Sequence, residues 1–195
     1  PQTRWKIGEP DLILSAPQEV AIPATGFLPY QHVILPRAFL YDTWMQKVEI
    51  LPSNKSVVHH CNLGYIKVGE QTTTKNLVTG YVPGGDALDL DRGLAYCIPA
   101  GSFLVLQLHY VTTGRPETDR TSVGITFAKE RIQRRLRLLT CVQHDISIPP
   151  GEGNHLLAAT DSFPCNATGI GLFSHMHLRG KDMQFLATRP DGSTE

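Results

Sequence analysis

No apolar stretch in this chain approaches the roughly 20 residues that a membrane-spanning helix needs, so no membrane span is expected. Neither charge is in excess. The 18 basic and 18 acidic side chains cancel, which removes the electrostatic argument for nucleic acid or an anionic membrane surface. The four cysteines, Cys61, Cys97, Cys141 and Cys165, include no CxxC and no CxxCH, so no haem-attachment motif is present. No signal peptide is visible at Pro1, and an export signal is expected to have been removed or never included. Long helical periodicity is also missing.

Short runs rich in β-branched and aliphatic residues take its place. They cover residues 44–51, 56–61, 103–111, 122–128, 170–178 and 183–188. Turn chemistry separates many of them, as in Pro83-Gly84-Gly85, Pro99-Ala100-Gly101, Pro149-Pro150-Gly151 and Asp191-Gly192. The pattern predicts an all-β antiparallel β-sandwich. Ile98-Pro99-Ala100-Gly101 and Ile148-Pro149-Pro150-Gly151 form a faint internal echo, which favours two related β domains. The expected division is 1–130 for a first sandwich and 131–195 for the opening of a second. The boundary run at 129–137 carries Arg131, Arg134, Arg135 and Arg137 and reads as a solvated linker or strand face, ahead of an anion site. Residues 183–189 read as a strand and Pro190-Asp191-Gly192 as its hairpin turn. With no partner strand after it, the chain reads as the N-terminal portion of a longer protein.

The cysteines are expected either as buried free thiols or as one or two disulfides of an exported protein, with the pairing open. Asn54-Lys55-Ser56 and Asn166-Ala167-Thr168 match the N-glycosylation pattern, which is frequent by chance.

The chemistry concentrates in histidines. Five of the eight fall in three predicted strands: His59-His60, His109 within Leu106-Gln107-Leu108-His109-Tyr110, and His175-Met176-His177. Neutral imidazole is the commonest protein ligand for copper and zinc, and five divide naturally into three plus two. The strand period of two puts Phe103, Val105, Gln107 and His109 on one face and Leu104, Leu106, Leu108 and Tyr110 on the other. Taken alone, His109 reads as a hydrogen-bonded core histidine. His175 and His177 share a side, as two ligands of one metal would, while Met176 points away. His59 and His60 face oppositely on a regular strand. Both reach one metal only at a strand end or where a bulge redirects one ring.

Three motifs in this order carry a resemblance: Val57-Val58-His59-His60; Leu106-Gln107-Leu108-His109-Tyr110 followed by Ser122-Val123-Gly124; and His175-Met176-His177-Leu178-Arg179-Gly180-Lys181. From about Trp44 onward the chain resembles the copper type II, ascorbate-dependent monooxygenases, whose best-known members are the peptidylglycine α-hydroxylating and dopamine β-hydroxylating enzymes. The third motif is closer to bacterial members. The resemblance implies two jelly-roll-like β-sandwiches, each carrying one copper across a solvent cleft. It implies an electron-relay copper on His59, His60 and His109, and a catalytic copper on His175 and His177. The family's third ligand at the second copper is a methionine further along. Neither Met176 nor Met183 matches that position. An arginine that grips the substrate carboxylate in the amidating enzymes corresponds here to Phe173, which cannot make that contact, so peptidylglycine is not the expected substrate. Gln107 is placed to hydrogen-bond near the first copper, or simply to satisfy a buried backbone group.

The resulting expectation is a copper-dependent monooxygenase acting on a C–H bond of a small organic substrate with O2 and a reductant such as ascorbate. It has two coppers in the complete protein and an extracellular or periplasmic location. The chain by itself is expected to lack turnover. The rival readings are a non-catalytic copper-binding or electron-transfer sandwich, and a structural or interaction sandwich with degenerate histidines.

Overall fold

The computed structural model describes residues 4–70, 76–176 and 179–195. Its contacts divide the chain into two units, Pro1–Ala159 and Thr160–Glu195. Among its described residues the first unit holds twelve strands: β1 (Leu12–Ser15), β2 (Val20–Ile22), β3 (Gln31–Phe39), β4 (Thr43–Leu51), β5 (Val58–Lys67), β6 (Leu77–Tyr81), β7 (Leu88–Asp89), β8 (Leu94–Ile98), β9 (Ser102–Tyr110), β10 (Glu117–Asp119), β11 (Ser122–Phe127) and β12 (Arg134–Leu136). No α-helix occurs among the described residues, so the all-β expectation holds.

The strands form two main sheets and a small ribbon. One sheet runs β1-β11-β4-β8-β12, with β7 also on β4; the other runs β3-β9-β5-β6; β10 pairs with β2. Every pairing is antiparallel except β12 on β8. Alternation explains how the sheets face each other. On β9, Leu104, Leu106 and Leu108 are 0% exposed and join one core cluster with Leu35 and Leu63 from their own sheet and Met45, Val48 and Ile125 from the other. Each buried leucine contributes roughly 1.5–3 kcal/mol of hydrophobic stabilisation. The core therefore takes one face of β9 and leaves Gln107 and His109 on the other.

Two breaks in the ladder have local causes. On β3 the register shifts between Ile34 and Ala38, across Pro36, which has no N–H to give to the ladder. On the larger sheet Gly124 lies under Trp5. A Cβ there would sit 2.9 Å from the indole and from Pro10, so only glycine lets the buried Trp5 cover this face.

The arginine run is a strand face. Arg134–Leu136 pairs in parallel with Leu94–Tyr96, and the Arg135 guanidinium lies 5.9 Å from the Trp44 ring centroid. Residues 131–136 thus belong with the first unit. Gly101 and Gly151 of the internal echo both adopt positive φ, 77° and 79°, as several other turn glycines do. Gly101 leads into β9, whereas no strand follows Gly151 among the described residues.

The cysteines correct one expectation. All four are free thiols, so the disulfide does not form; Cys61 and Cys97 are buried on β5 and β8, strands of different sheets, and Cys141 and Cys165 are exposed. Cys61 packs as a small core hydrophobe. No helix among the described residues is long and apolar enough to cross a membrane.

In the second unit the expected turn forms. Ala187 and Glu195 exchange backbone hydrogen bonds, Arg189 N donates to Ser193 O, and Asp191 Oδ1 accepts from Ser193 N and Oγ. The strands expected at 170–178 and 183–188 do not form as such among the described residues. Among the described residues of these runs the one bridge is Thr188 to Thr194, flanked by the Ala187–Glu195 bonds. Their apolar side chains stay exposed: Leu172 77%, Phe173 70%, Phe185 43% and Leu186 69%.

Candidate metal centre

The site is built by adjacent strands of the smaller sheet. Val58 pairs with Tyr110, but the next pair is His60 with His109, so one residue of β5, His59, is extra. This is a β-bulge, one of the two conditions under which neighbouring histidines reach a common point. The bulge turns His59 so that its ring joins those of His60 and His109. The ring centroids are 5.3 Å apart for His59–His60, 5.1 Å for His59–His109 and 4.9 Å for His60–His109.

The nitrogens converge as well. His59 Nδ1 and His60 Nδ1 are 3.0 Å apart, and one ligand atom from each of the three residues lies within 4.8 Å of the others. At 3.0 Å two imidazole nitrogens either share a hydrogen or turn both lone pairs on one cation. Nitrogens each about 2.0–2.1 Å from one ion sit about 3–4 Å apart, so small ring rotations close this cluster on a metal. The donor set, three imidazoles with His59 exposed, suits copper or zinc and leaves solvent access on one side. The residues present therefore fit the ion that the resemblance implies.

A tyrosine orients the cluster. Tyr30, just before β3, has its hydroxyl 3.3 Å from His60 Nε2, and its ring centroid is 4.9 Å from that of His109. With the Nε2 proton donated to the tyrosine oxygen, the His60 lone pair falls on Nδ1, the atom that faces His59. One step along the same sheet face a polar row crosses three strands. Asn62 Nδ2 donates to Gln107 Oε1 at 3.0 Å, and Gln107 Nε2 lies 3.1 Å from His32 Nε2. Gln107 thus bonds side chains rather than backbone. Tyr30, His32 and Asn62 carry no local motif. Only the β3–β9 and β5–β9 pairings bring them here.

The sequence expectation joined His59, His60 and His109, and the structure brings these three together. His175 is exposed in the second unit, and His177 lies outside the described residues. The histidine cluster is set apart from a mixed-charge groove of about 460 Å3 lined by Lys47, Asp89, Arg92, Lys129 and Glu130. There Lys47 pairs with Asp89 at 2.8 Å and Lys129 with Asp11 at 2.9 Å, so the groove's charge is largely self-compensated.

Below the site lie Cys61 and Tyr110, both facing the core. Burial first, then the Asp119 charge, pushes the Cys61 thiol and the Tyr110 phenol well above their ordinary values. Cys61 is thus held as an inert thiol beneath the imidazoles, not offered as a soft ligand.

Asn54 is held by several side-chain bonds. Its Oδ1 accepts from Ser56 N and Oγ, and its Nδ2 donates to Glu117 Oε2 and Thr118 O. Here Asn-Lys-Ser closes a turn.

Comparison of the chain with family models, with curated proteins and with solved structures finds no match.

Proposed function

We propose that this chain carries the electron-relay half of a copper-dependent monooxygenase. In this reading His59, His60 and His109 hold one copper, and His175 and His177 belong to a second, substrate-side copper. The observation that supports it is the convergence of three imidazoles from two strands through a bulge at His59. Copper, when bound, supplies one-electron redox between a reductant such as ascorbate and the O2-dependent hydroxylation of a small organic substrate. The chain's own residues do the rest. The three imidazoles fix the ligand set, Tyr30 fixes the His60 tautomer, and the exposed edge at His59 admits a small reductant. The jelly-roll topology and the exported location are parts of the same proposal.

A second reading has its own support. The same His59, His60, His109 cluster is what a non-catalytic copper-binding or electron-transfer sandwich needs.

The test is a redox titration. The chain is loaded with Cu2+ and treated with ascorbate without oxygen, and the Cu2+ EPR signal is followed. The proposal expects the signal to bleach and to return on admitting O2. A centre that ascorbate cannot reduce is not an ascorbate-driven relay. A site that cycles but yields no hydroxylated product in the complete protein, across C–H substrates, favours the second reading.

A further inference from the structure

The bulge at His59 is the weak point of this site, because an extra strand residue is free to slip. Losing it would return His59 and His60 to opposite faces and leave at most two imidazoles together. Something must pin the chain on both sides of it.

We propose that Asp119 is a positioning residue for the three-histidine site, acting through the Val58–Tyr110 pair that borders the bulge. The proposal rests on the metal reading above. Asp119, the last residue of β10, is 1% exposed. Its Oδ1 accepts from Asn54 N at 3.0 Å and Ser53 Oγ at 3.1 Å. Its Oδ2 accepts from Tyr110 Oη at 3.0 Å and Thr121 Oγ1 at 2.7 Å. One oxygen therefore holds the loop that leads into His59, and the other holds the residue after His109. Val111 N donates to Val57 O at 2.8 Å and closes the same junction. Asn54 is further fixed to β10 through Glu117, which Arg115 grips in turn.

A buried carboxylate with four donors is a demanding feature. Here its two oxygens divide the job between the two strands that supply the ligands. Metal affinity depends on ligand positions held to about 0.5 Å, so loosening the junction should reach the metal before it unfolds the sandwich.

The substitutions Asp119→Leu and Asp119→Asn separate anchoring from mere burial. An asparagine carbonyl still accepts from Asn54 N–H, and its amide donates to the Tyr110 and Thr121 hydroxyl oxygens, which rotate to accept. A leucine can do neither. The probe is Cu2+ alone, titrated against a competing chelator into the full chain, with EPR of the bound ion. Leu14→Ala serves as a control, being a core truncation on β1 of the other sheet.

Asp119→Leu is expected to weaken Cu2+ binding about 10-fold or more and to split the EPR signal into several species. Asp119→Asn should stay close to the unsubstituted chain. Leu14→Ala should lower the melting temperature and leave the affinity and spectrum unchanged. If Asp119→Leu does not fold, Tyr110→Phe carries the test, with an intermediate loss and a broadened signal expected.

An unchanged affinity and single signal in Asp119→Leu, or in Tyr110→Phe where that carries the test, overturns the positioning role and leaves the metal reading standing. So does an equal loss in Leu14→Ala. No Cu2+ binding by the unsubstituted chain defeats the metal reading, and the positioning role with it.

Discussion

His109→Ala is expected to lower copper affinity by about 100-fold or more while leaving the sandwich folded. Partners one step removed from a metal already change affinity 10–100-fold, and a ligand should cost at least that. The fold should tolerate the loss because His109 stands on the face of β9 opposite the leucine core. Its removal is therefore expected to change stability by about 1 kcal/mol or less, the usual range away from core and buried networks. Isothermal titration with Cu2+ and a thermal melt of the metal-free chain check both halves. A full loss of fold would mean that His109 serves the core, and an unchanged affinity would remove it from the ligand set.

The metal-free sandwich is expected to lose stability steeply in alkali. Tyr96 is pushed up to about 12, by burial first and then by Tyr65, and Cys61 and Tyr110 are raised further by burial and Asp119. The folded state keeps these protons at pH values where the unfolded chain has released them. Their stabilising contribution is complete below the ordinary values of 9.0 for Cys61 and 10.0 for the tyrosines, and is lost as pH rises beyond them. Each group costs about 1.4 kcal/mol per pH unit once its unfolded form is ionised, so the combined slope rises through pH 10 and approaches about 4 kcal/mol per unit near pH 11. Tyr81 and Cys97 shift in the same direction and steepen the fall. Urea midpoints at half-unit steps from pH 8 to 11 measure the slope, and Cys61→Ala should flatten its onset near pH 9. A flat profile through pH 11 would mean that these groups ionise without leaving the core.

The alternation in residues 103–110 is strong enough to be read locally, and it separates the leucine face from the Gln107–His109 face; which of the two packs on the core, and so leaves His109 off it, is visible only in the fold. The local pattern also sets the terms for His59 and His60, since adjacent strand residues meet only through a bulge or an end. It does not reveal that the bulge exists, because that depends on how β5 pairs with β9. Tyr30, His32 and Asn62 were illegible for the same reason. Gln31 meets Leu108 across most of the sheet-forming chain, and no nearby residue signals it.

The arginine run read as a solvated linker or strand face, and its sequence does not say which. Pairing with β8 and the Trp44 face makes Arg134–Leu136 an edge strand. The residues at 170–176 and 183–186 have strand composition, but a strand needs a partner to supply its hydrogen bonds, and composition cannot provide one. Cysteine count alone could not separate buried thiols from a bridge; in the fold all four are free thiols, two of them buried.

The central claim is that His59, His60 and His109 bind one ion together, and ligand counting tests it most directly. The chain carrying His175→Ala and His177→Ala, loaded with one equivalent of copper, isolates this site for X-ray absorption spectroscopy. The account predicts three imidazole nitrogens at about 2.0–2.1 Å with outer-shell imidazole scattering, falling to two when His109→Ala is added. One imidazole or none in the first sample, or a count that His109→Ala leaves unchanged, would contradict it.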